Sequence, residues 1–258
     1  MDKIDIYDIE TYPKELEQMR INALTILEKS KNILFENADE MYRFLDICYY
    51  EKSEPIASIL CNIKQFVIKN EIICFHNTRV LDVVQIKNNG LKFPINNYKE
   101  RIKGNLELSK ISKETIKMIT SNIDKILNDF SNEPLDLKKH SQISFYLNFN
   151  HHNDYQKFYE DFGGEILEQA IRISSIDDDL KNTFLKLGNP VIVKFSIPFS
   201  LIESYKQEEI LIKILEYWIE KYILKLNKMH DVCEGRILCE VPQEKIIKIV
   251  DLHILSDK

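Results

Sequence analysis

Hydrophobic positions divide the chain near residue 70. Between residues 12 and 69, apolar side chains recur at intervals of three and four, which predicts helices, two of them at 38–50 and 55–68. After residue 70, short continuous apolar runs predict buried strands with further helices between them. We therefore predict an α+β protein in which an N-terminal helical subdomain, 1–69, precedes an α+β domain, 70–258.

The stretch 71–80, Glu-Ile-Ile-Cys-Phe-His-Asn-Thr-Arg-Val, carries the sharpest polar cluster. Its apolar first half predicts a buried strand that ends near residue 76. Because side chains alternate between the two sides of a strand, His76 and Thr78 are expected on one side, and Arg79 on the other side or in the following turn. Two neighbouring polar groups could hold a ribose or another diol, although a histidine at a strand end is often an ordinary hydrogen-bonded residue.

Later patterns predict the rest of the sheet and its helices. A short helix at 80–88 ends at Asn89-Gly90, where glycine permits a left-handed stop. Further strands are predicted at 142–149, 190–198, 236–241 and 246–254, and further helices at 106–130, 166–173 and 207–226.

Two glutamates are candidates for a carboxylate in a site. Glu165 follows two glycines in a segment rich in aromatic residues, and Glu234 directly precedes the predicted strand 236–241. A carboxylate held beside a ribosyl carbon can bind the 2'-hydroxyl and stabilise developing positive charge. The alternatives are a glutamate stabilised by a helix N-terminus at 165 and an exposed turn carboxylate at 234.

Composition bears on the partners, the cellular compartment and the membrane insertion expected of the protein. The 258 residues carry a net charge of −6, so no global positive field indicates nonspecific binding to nucleic acid or membranes, and this charge is compatible with a local basic groove. Five cysteines without paired spacing, together with an N-terminus that lacks an apolar signal core, are typical of a cytoplasmic protein. No apolar run is long enough to predict a membrane span.

The sequence disfavours a metal site and a cysteine nucleophile. The adjacent His151 and His152 side chains would diverge on either a strand or a helix, and no cysteine pair has ligand spacing, so no metal is expected. A cysteine within a buried strand, such as Cys74, is usually a small hydrophobic residue. The chain also lacks a Walker loop, a Rossmann glycine fingerprint and a nucleophile elbow.

The order of elements at 75–91 resembles the ADP-ribosyltransferase superfamily, which includes poly-ADP-ribose polymerases, tRNA 2'-phosphotransferases and DNA-targeting bacterial toxins. The shared pattern is a strand carrying His76-x-Thr78, then a short helix, then the turn Gly90-Leu91. The resemblance extends over about residues 70–254. It implies a split mixed β-sheet with interspersed helices.

The resemblance also implies an activity, in which ADP-ribose is transferred from NAD to a protein or nucleic-acid acceptor without a metal. In that scheme His76 would hold a ribose, Tyr146 would stack on nicotinamide, and either Glu234 or Glu165 would stabilise the developing positive charge. The remaining residues that we assign to NAD binding are Phe75, Thr78, Arg79 and Tyr159.

Three other interpretations stay open. The same fold is also used by NAD glycohydrolases and 2'-phosphotransferases, in which the acceptor differs. A noncatalytic interaction module, with the N-terminal helices docking on a protein partner, is the alternative from a different class. The abundance of Ile, Lys and Asn is typical of an AT-rich genome, which suits a bacterium or its phage. Together with the resemblance, this suggests a toxin or a phage-defence effector.

Overall fold

The structure of the protein is a computed structural model, and it describes eight segments of the chain. These segments are residues 1–29, 37–80, 82–93, 111–131, 142–149, 165–185, 188–226 and 233–252.

The described residues form an α+β fold, as the sequence predicted. The helices are α1 (Lys14–Lys29), α2 (Ala38–Glu51), α3 (Ile56–Val67), α4 (Val83–Asn89), α5 (Lys113–Ser131), α6 (Glu165–Arg172), α7 (Asp178–Leu185) and α8 (Ser204–Tyr222). The strands are β1 (Lys3–Ile4), β2 (Glu71–Val80), β3 (Ile143–Tyr146), β4 (Asn189–Pro198), β5 (Glu234–Ile237) and β6 (Ile246–Asp251).

The six strands form one sheet, in which the neighbours follow the order β5, β3, β2, β4, β6 and β1 pairs with β2. β1 runs parallel to β2, whereas β3 is antiparallel to β2 and β6 is antiparallel to β4. The sheet is therefore mixed, with antiparallel pairs in the majority among those of known direction.

Both ends of α2 carry capping groups. The Asn37 side chain accepts a 3.0 Å hydrogen bond from the Glu40 amide and so begins α2. α2 ends at Lys52, which adopts a left-handed conformation with φ of 51°. The predicted helices at 38–50 and 55–68 are confirmed, and all four of their ends agree with the structure to within one residue.

The structure corrects the expected ends of two strands. β2 does not stop near residue 76 but continues to Val80, because its later polar side chains Asn77 and Arg79 find hydrogen-bond partners on other segments. The strand predicted at 236–241 lies earlier, at Glu234–Ile237, and Val241 instead forms an isolated bridge with Leu91.

The chain divides into two compact units that interleave in sequence. The first unit contains Met1–Cys74 and Ser196–Gly235, and the second contains Phe75–Phe195 and Arg236–Lys258. This division differs from the predicted subdomains 1–69 and 70–258, because the first unit also takes a segment from the second half of the chain.

In the first unit, helices α1, α2, α3 and α8 pack together around apolar side chains. Trp218 of α8 is fully buried, and its indole N–H donates a 3.2 Å hydrogen bond to the hydroxyl of Tyr12. α2 is held to α8 by tyrosine hydroxyls that donate to glutamates, Tyr42 to Glu220 and Tyr49 to Glu208. Hydrogen bonds between side chains of distant segments therefore add to the apolar packing in this unit.

The second unit contains strands β3 and β6 and helices α4 to α7. α5 and α6 share a small apolar core in which Ile119, Ile123 and Ala170 are fully buried. A buried hydrogen bond of 2.8 Å from Asn122 to the hydroxyl of Ser174 joins the same two segments. This unit also contains the His-x-Thr segment of β2.

Candidate functional site

The His76 ring is held by the backbone of the neighbouring strand. Its Nδ1 lies 2.7 Å from the carbonyl oxygen of Ser144 in β3. Because a carbonyl oxygen can only accept a hydrogen bond, Nδ1 must carry the proton. In the neutral ring Nε2 is then the acceptor nitrogen of this half-buried histidine.

Thr78 lies on the same side of the strand as His76, as predicted. β2 is continuous from Glu71 to Val80, so residues two apart point in the same direction. Both side chains are half-buried, whereas Asn77 between them is buried. We call this side of the strand, defined by His76 and Thr78, the His76 side.

The opposite side of the strand, defined by Phe75, Asn77 and Arg79, is called the Phe75 side. Phe75 and Tyr146 are directly paired across β2 and β3, and their rings stack with centroids 5.7 Å apart and an interplanar angle of 23°. The Tyr146 hydroxyl donates a buried 2.6 Å hydrogen bond to the side-chain oxygen of Asn77. Tyr146 therefore belongs to the Phe75 side.

The structure does not bring Tyr146 together with His76 on one side of the sheet. The Tyr146 ring packs on Phe75, its hydroxyl is bonded to Asn77, and the residue is only 5% exposed. Stacking of this ring on a nicotinamide stays a prediction from the resemblance, without geometric support.

Phe75 is also enclosed by protein groups. The Phe149 ring meets it edge-on at a centroid distance of 5.6 Å, and the Lys194 ammonium lies 5.3 Å from its centroid. The ammonium is within the range of a cation–π attraction. Phe75 is only 2% exposed, so its ring offers almost no accessible surface for the predicted contact with NAD.

The Arg79 guanidinium is used within the fold. Its Nη2 donates a 2.5 Å hydrogen bond to the carbonyl oxygen of Gly188, directly before β4. Gly188 has a φ of +77°, and a Cβ atom there would lie 2.9 Å from the Val80 carbonyl oxygen. Arg79 and Gly188 thus join the end of β2 to the beginning of β4 at a close backbone approach.

The helix and turn after β2 are tightly fixed. The Asp82 side chain caps α4 by accepting a 2.8 Å hydrogen bond from the Val84 amide, and Gly90 ends the helix with a φ of +73°. Leu91 and Val241 exchange two backbone hydrogen bonds of 2.9 Å each. A Cβ atom at Gly90 would lie 1.9 Å from the Val241 carbonyl oxygen, so only glycine fits.

The two candidate carboxylates lie at the starts of different elements. Glu234 is the first residue of β5, is exposed, and belongs to the first compact unit. Glu165 is the first residue of α6, in the second unit, and its side chain lies outside the described part of the structure. Tyr159 also lies outside the described residues.

The buried thiols are poorly suited to act as nucleophiles. Burial raises the pKa of Cys233 to about 12, and burial together with the nearby Cys233 raises the pKa of Cys74 well above its ordinary value. A thiol with a raised pKa carries little of the reactive thiolate at neutral pH.

Sequence reasoning missed three residues that organise this region. Asn77 and Gly188 receive the hydrogen bonds from Tyr146 and Arg79, and the Glu240 carboxylate accepts a 2.9 Å hydrogen bond from the Lys92 ammonium. The position of Asn77 inside the polar cluster of the predicted strand was a readable signal that its amide forms a hydrogen bond. The partners of Gly188 and Glu240 are far away in sequence and left no local signal.

No metal-binding group is found within the described ranges of the chain, where a group would need at least three His, Cys, Asp or Glu side chains. Among the helices in those same ranges, none combines the length and the apolar character that crossing a membrane requires.

Comparisons with protein-family models, with curated proteins and with solved structures found no match. Support for a function therefore comes from the geometry of the chain itself.

Proposed function

We propose that this chain is an NAD-dependent ADP-ribosyltransferase that transfers ADP-ribose to a protein or nucleic-acid acceptor. The observation that carries the proposal is the half-buried His76 ring, which its Nδ1–Ser144 hydrogen bond orients on the same side of β2 as Thr78. A ribose presents hydroxyl groups, which donate and accept hydrogen bonds and so suit an imidazole beside a threonine hydroxyl. Thr78, two residues further along the same side, would bind a second hydroxyl or a pyrophosphate oxygen.

The order of elements around His76 supports the same proposal. β2 is followed by the capped helix α4, and Gly90-Leu91 then pairs with Val241. This agrees with the order of strand, His-x-Thr, short helix and Gly-Leu turn on which the resemblance is based. The specific sheet arrangement of that superfamily remains part of the proposal.

Within the proposal, the residues of the Phe75 side support the strand and do not contact NAD. Arg79 bonds to Gly188, and Tyr146 bonds to Asn77, so both would act by holding the strand that carries His76. Contact with pyrophosphate or nicotinamide is then expected from other groups. Arg79 and Tyr146 are positioning residues in this scheme.

Glu234 and Glu165 are both kept as the proposed catalytic carboxylate. Either carboxylate would accept a hydrogen bond from a ribose hydroxyl and stabilise the positive charge that develops as nicotinamide leaves. Glu234→Gln and Glu165→Gln should be compared with Glu244→Gln, an exposed glutamate in the turn before β6. The true catalytic carboxylate is the one whose substitution removes nicotinamide release while Glu244→Gln retains it.

The proposal is tested by incubating the purified chain with NAD that carries a label on the adenylate phosphate, in the presence of cell extract. Nicotinamide release and labelling of a macromolecule are measured together. We expect both in the wild-type protein, and a loss of both in His76→Ala. Ile173→Ala, which removes an exposed apolar side chain from the same unit, is the control that should leave both unchanged.

Other products would point to the other enzymes of the same fold. Nicotinamide release without labelled macromolecule would indicate an NAD glycohydrolase, and transfer of a 2'-phosphate from RNA to NAD would indicate a phosphotransferase. Nicotinamide release that persists in His76→Ala would remove His76 from the proposed site.

A noncatalytic interaction module is the second candidate, and the surface of α2 favours it. Ile47 and Tyr50, three residues apart on this helix, are 54% and 81% exposed, so two large side chains are neighbours on its surface. If no NAD product forms, binding of a protein partner that Ile47→Glu abolishes would support this candidate.

A further inference from the structure

We propose that the exposed face of α2 binds a second copy of this chain, as an antiparallel helix pair whose two-fold axis passes close to Ile47. This surface, which we call the α2 face, is defined by the exposed residues Arg43, Ile47, Tyr50 and Glu51. Such a dimer would form whether or not the chain is an enzyme, because it depends only on the shape and charge of this helix.

The other side of α2 is used within the first compact unit. Met41, Leu45 and Cys48 are buried, and the hydroxyls of Tyr42 and Tyr49 donate hydrogen bonds to glutamates of α8. The buried residues recur at intervals of three and four, so they line one side of the helix. The α2 face therefore points away from the contacts that hold the helix in its own unit.

The α2 face carries apolar surface that a partner could cover. Ile47 is 54% exposed and Tyr50 is 81% exposed, and the two side chains are neighbours on the helix. Removing this apolar surface from water would favour association. Exposed apolar surface does not by itself select a partner, so the charges around it decide which partner fits.

The charges of the α2 face are self-complementary. Arg43, Ile47 and Glu51 follow one another at intervals of four residues and form one ridge, with a cation at one end and a carboxylate at the other. When the same ridge of a second copy runs in the opposite direction, Ile47 meets Ile47. Each Arg43 then lies beside Glu51 of the other copy. Two-fold symmetry thus produces two ion pairs around one apolar contact.

The same charges disfavour a parallel pair. In that arrangement Arg43 would lie beside Arg43, and Glu51 beside Glu51, so like charges would repel each other. In the antiparallel pair, the ring of Tyr50 would also lie near Arg43 of the second copy, where a cation–π attraction is available. An unrelated protein would need the matching order of charges, whereas a second copy has it by symmetry.

The size of the α2 face sets the expected strength. α2 has 14 residues and is therefore about 21 Å long. Stable interfaces bury about 800 Å² on each partner, which is more than one short pair of helices provides. We therefore expect a weak dimer, with a dissociation constant of roughly 10 to 100 µM.

The test is sedimentation equilibrium of the full chain at concentrations from about 1 to 500 µM, which span the expected dissociation constant. We expect the wild type to form dimers as the concentration rises. Ile47→Glu places two carboxylates at the two-fold axis and should weaken dimerisation about 100-fold, so that the dimer disappears from this range. Ile21→Glu, the same change at an isoleucine of α1 that is 44% exposed, is the matched control and should leave the dissociation constant unchanged.

Exchange of charges tests the antiparallel geometry. Arg43→Glu or Glu51→Arg alone brings like charges together at both ends of the ridge and should weaken dimerisation about tenfold. An equal mixture of these two variants again pairs opposite charges at both ends and should dimerise like the wild type, as should the double variant Arg43→Glu/Glu51→Arg. Lys64→Glu on the exposed surface of α3 is the charge control. Circular dichroism establishes that each variant is folded.

A wild-type chain that stays monomeric throughout this range would overturn the inference, and so would a dimer that Ile47→Glu leaves intact. If the two charge variants dimerise no better when they are mixed, the antiparallel pair is wrong. A monomeric chain that binds a different protein through Ile47 would assign the α2 face to that protein instead. Nicotinamide release is measured separately, so failure of the proposed function and failure of the dimer are distinguishable.

Discussion

The two sides of strand β2 carry alternate side chains of the same ten residues, and they differ in how their polar groups are used. On the Phe75 side, Asn77 and Arg79 are buried and bonded to Tyr146 and Gly188. On the His76 side, both His76 and Thr78 are half-buried, and the Ser144 carbonyl orients the His76 ring.

The difference shows how one strand can serve two purposes. Because side chains alternate, a polar residue that stabilises the sheet and a polar residue that faces a ligand can be adjacent in sequence. The comparison predicts that substitutions on the Phe75 side mainly lower stability and that substitutions on the His76 side mainly lower activity.

The largest loss of stability is expected for Phe75→Ala. Removing a buried ring that packs against Tyr146 and Phe149 should lower the free energy of unfolding by about 3–5 kcal/mol. Urea denaturation followed by circular dichroism measures this change. Tyr50→Ala removes a ring that is 81% exposed and should change stability by no more than about 0.5 kcal/mol. Equal effects of the two variants would contradict the assignment of Phe75 to the core.

Gly90→Ala extends the comparison to the turn that follows α4. The added Cβ would meet the Val241 carbonyl at 1.9 Å in a left-handed conformation, so we expect a loss of about 2–4 kcal/mol. The same denaturation experiment applies, with the exposed Asn89→Ala as the adjacent control. Wild-type stability in Gly90→Ala would show that the turn can relax without cost.

Arg79→Met is expected to cost about 2 kcal/mol, because it removes a charge-assisted hydrogen bond and leaves the Gly188 carbonyl without that donor. Arg172→Met is the matched control. The Arg172 side chain is 72% exposed and pairs with Glu168 on the surface, so its loss should cost less than about 0.5 kcal/mol. If Arg79→Met instead raised the KM for NAD at unchanged stability, Arg79 would contact the ligand directly.

The smallest change in stability is expected on the His76 side. His76→Ala and Thr78→Val should each alter the free energy of unfolding by no more than about 1 kcal/mol, because both side chains are half-buried. Nicotinamide release should nevertheless fall about 100-fold in His76→Ala. Thr183→Ala on the exposed surface of α7 is the control for Thr78→Val. A stability loss as large as that of Phe75→Ala would place His76 in the core.

Helices with an amphipathic pattern were predicted well, and the ends of strands were not. The helices at 38–50 and 55–68 follow from local spacing, and the structure confirms them. β2 was expected to end near residue 76 because polar residues follow. It continues because Asn77 and Arg79 bond to groups 69 and 109 residues away in sequence.

In the candidate site, too, the sequence did not predict features that depend on contacts between distant residues. The sequence singled out His76 and Thr78, and alternation along a strand was enough to predict that they share a side. It also assigned Tyr146 to that site, although pairing with Phe75 places Tyr146 on the opposite side. The register of two strands depends on contacts between distant segments, so no local pattern could decide it.

The sequence by itself determined the α+β class, the helices before residue 70, and the alternation that separates His76 and Thr78 from their neighbours. These depend on the spacing of apolar and polar side chains, which is a local property. Only the tertiary structure decided where β2 ends, which tautomer His76 adopts, and which side Tyr146 occupies. Those features depend on hydrogen bonds between residues that are distant in sequence, and the folded chain alone brings such residues together.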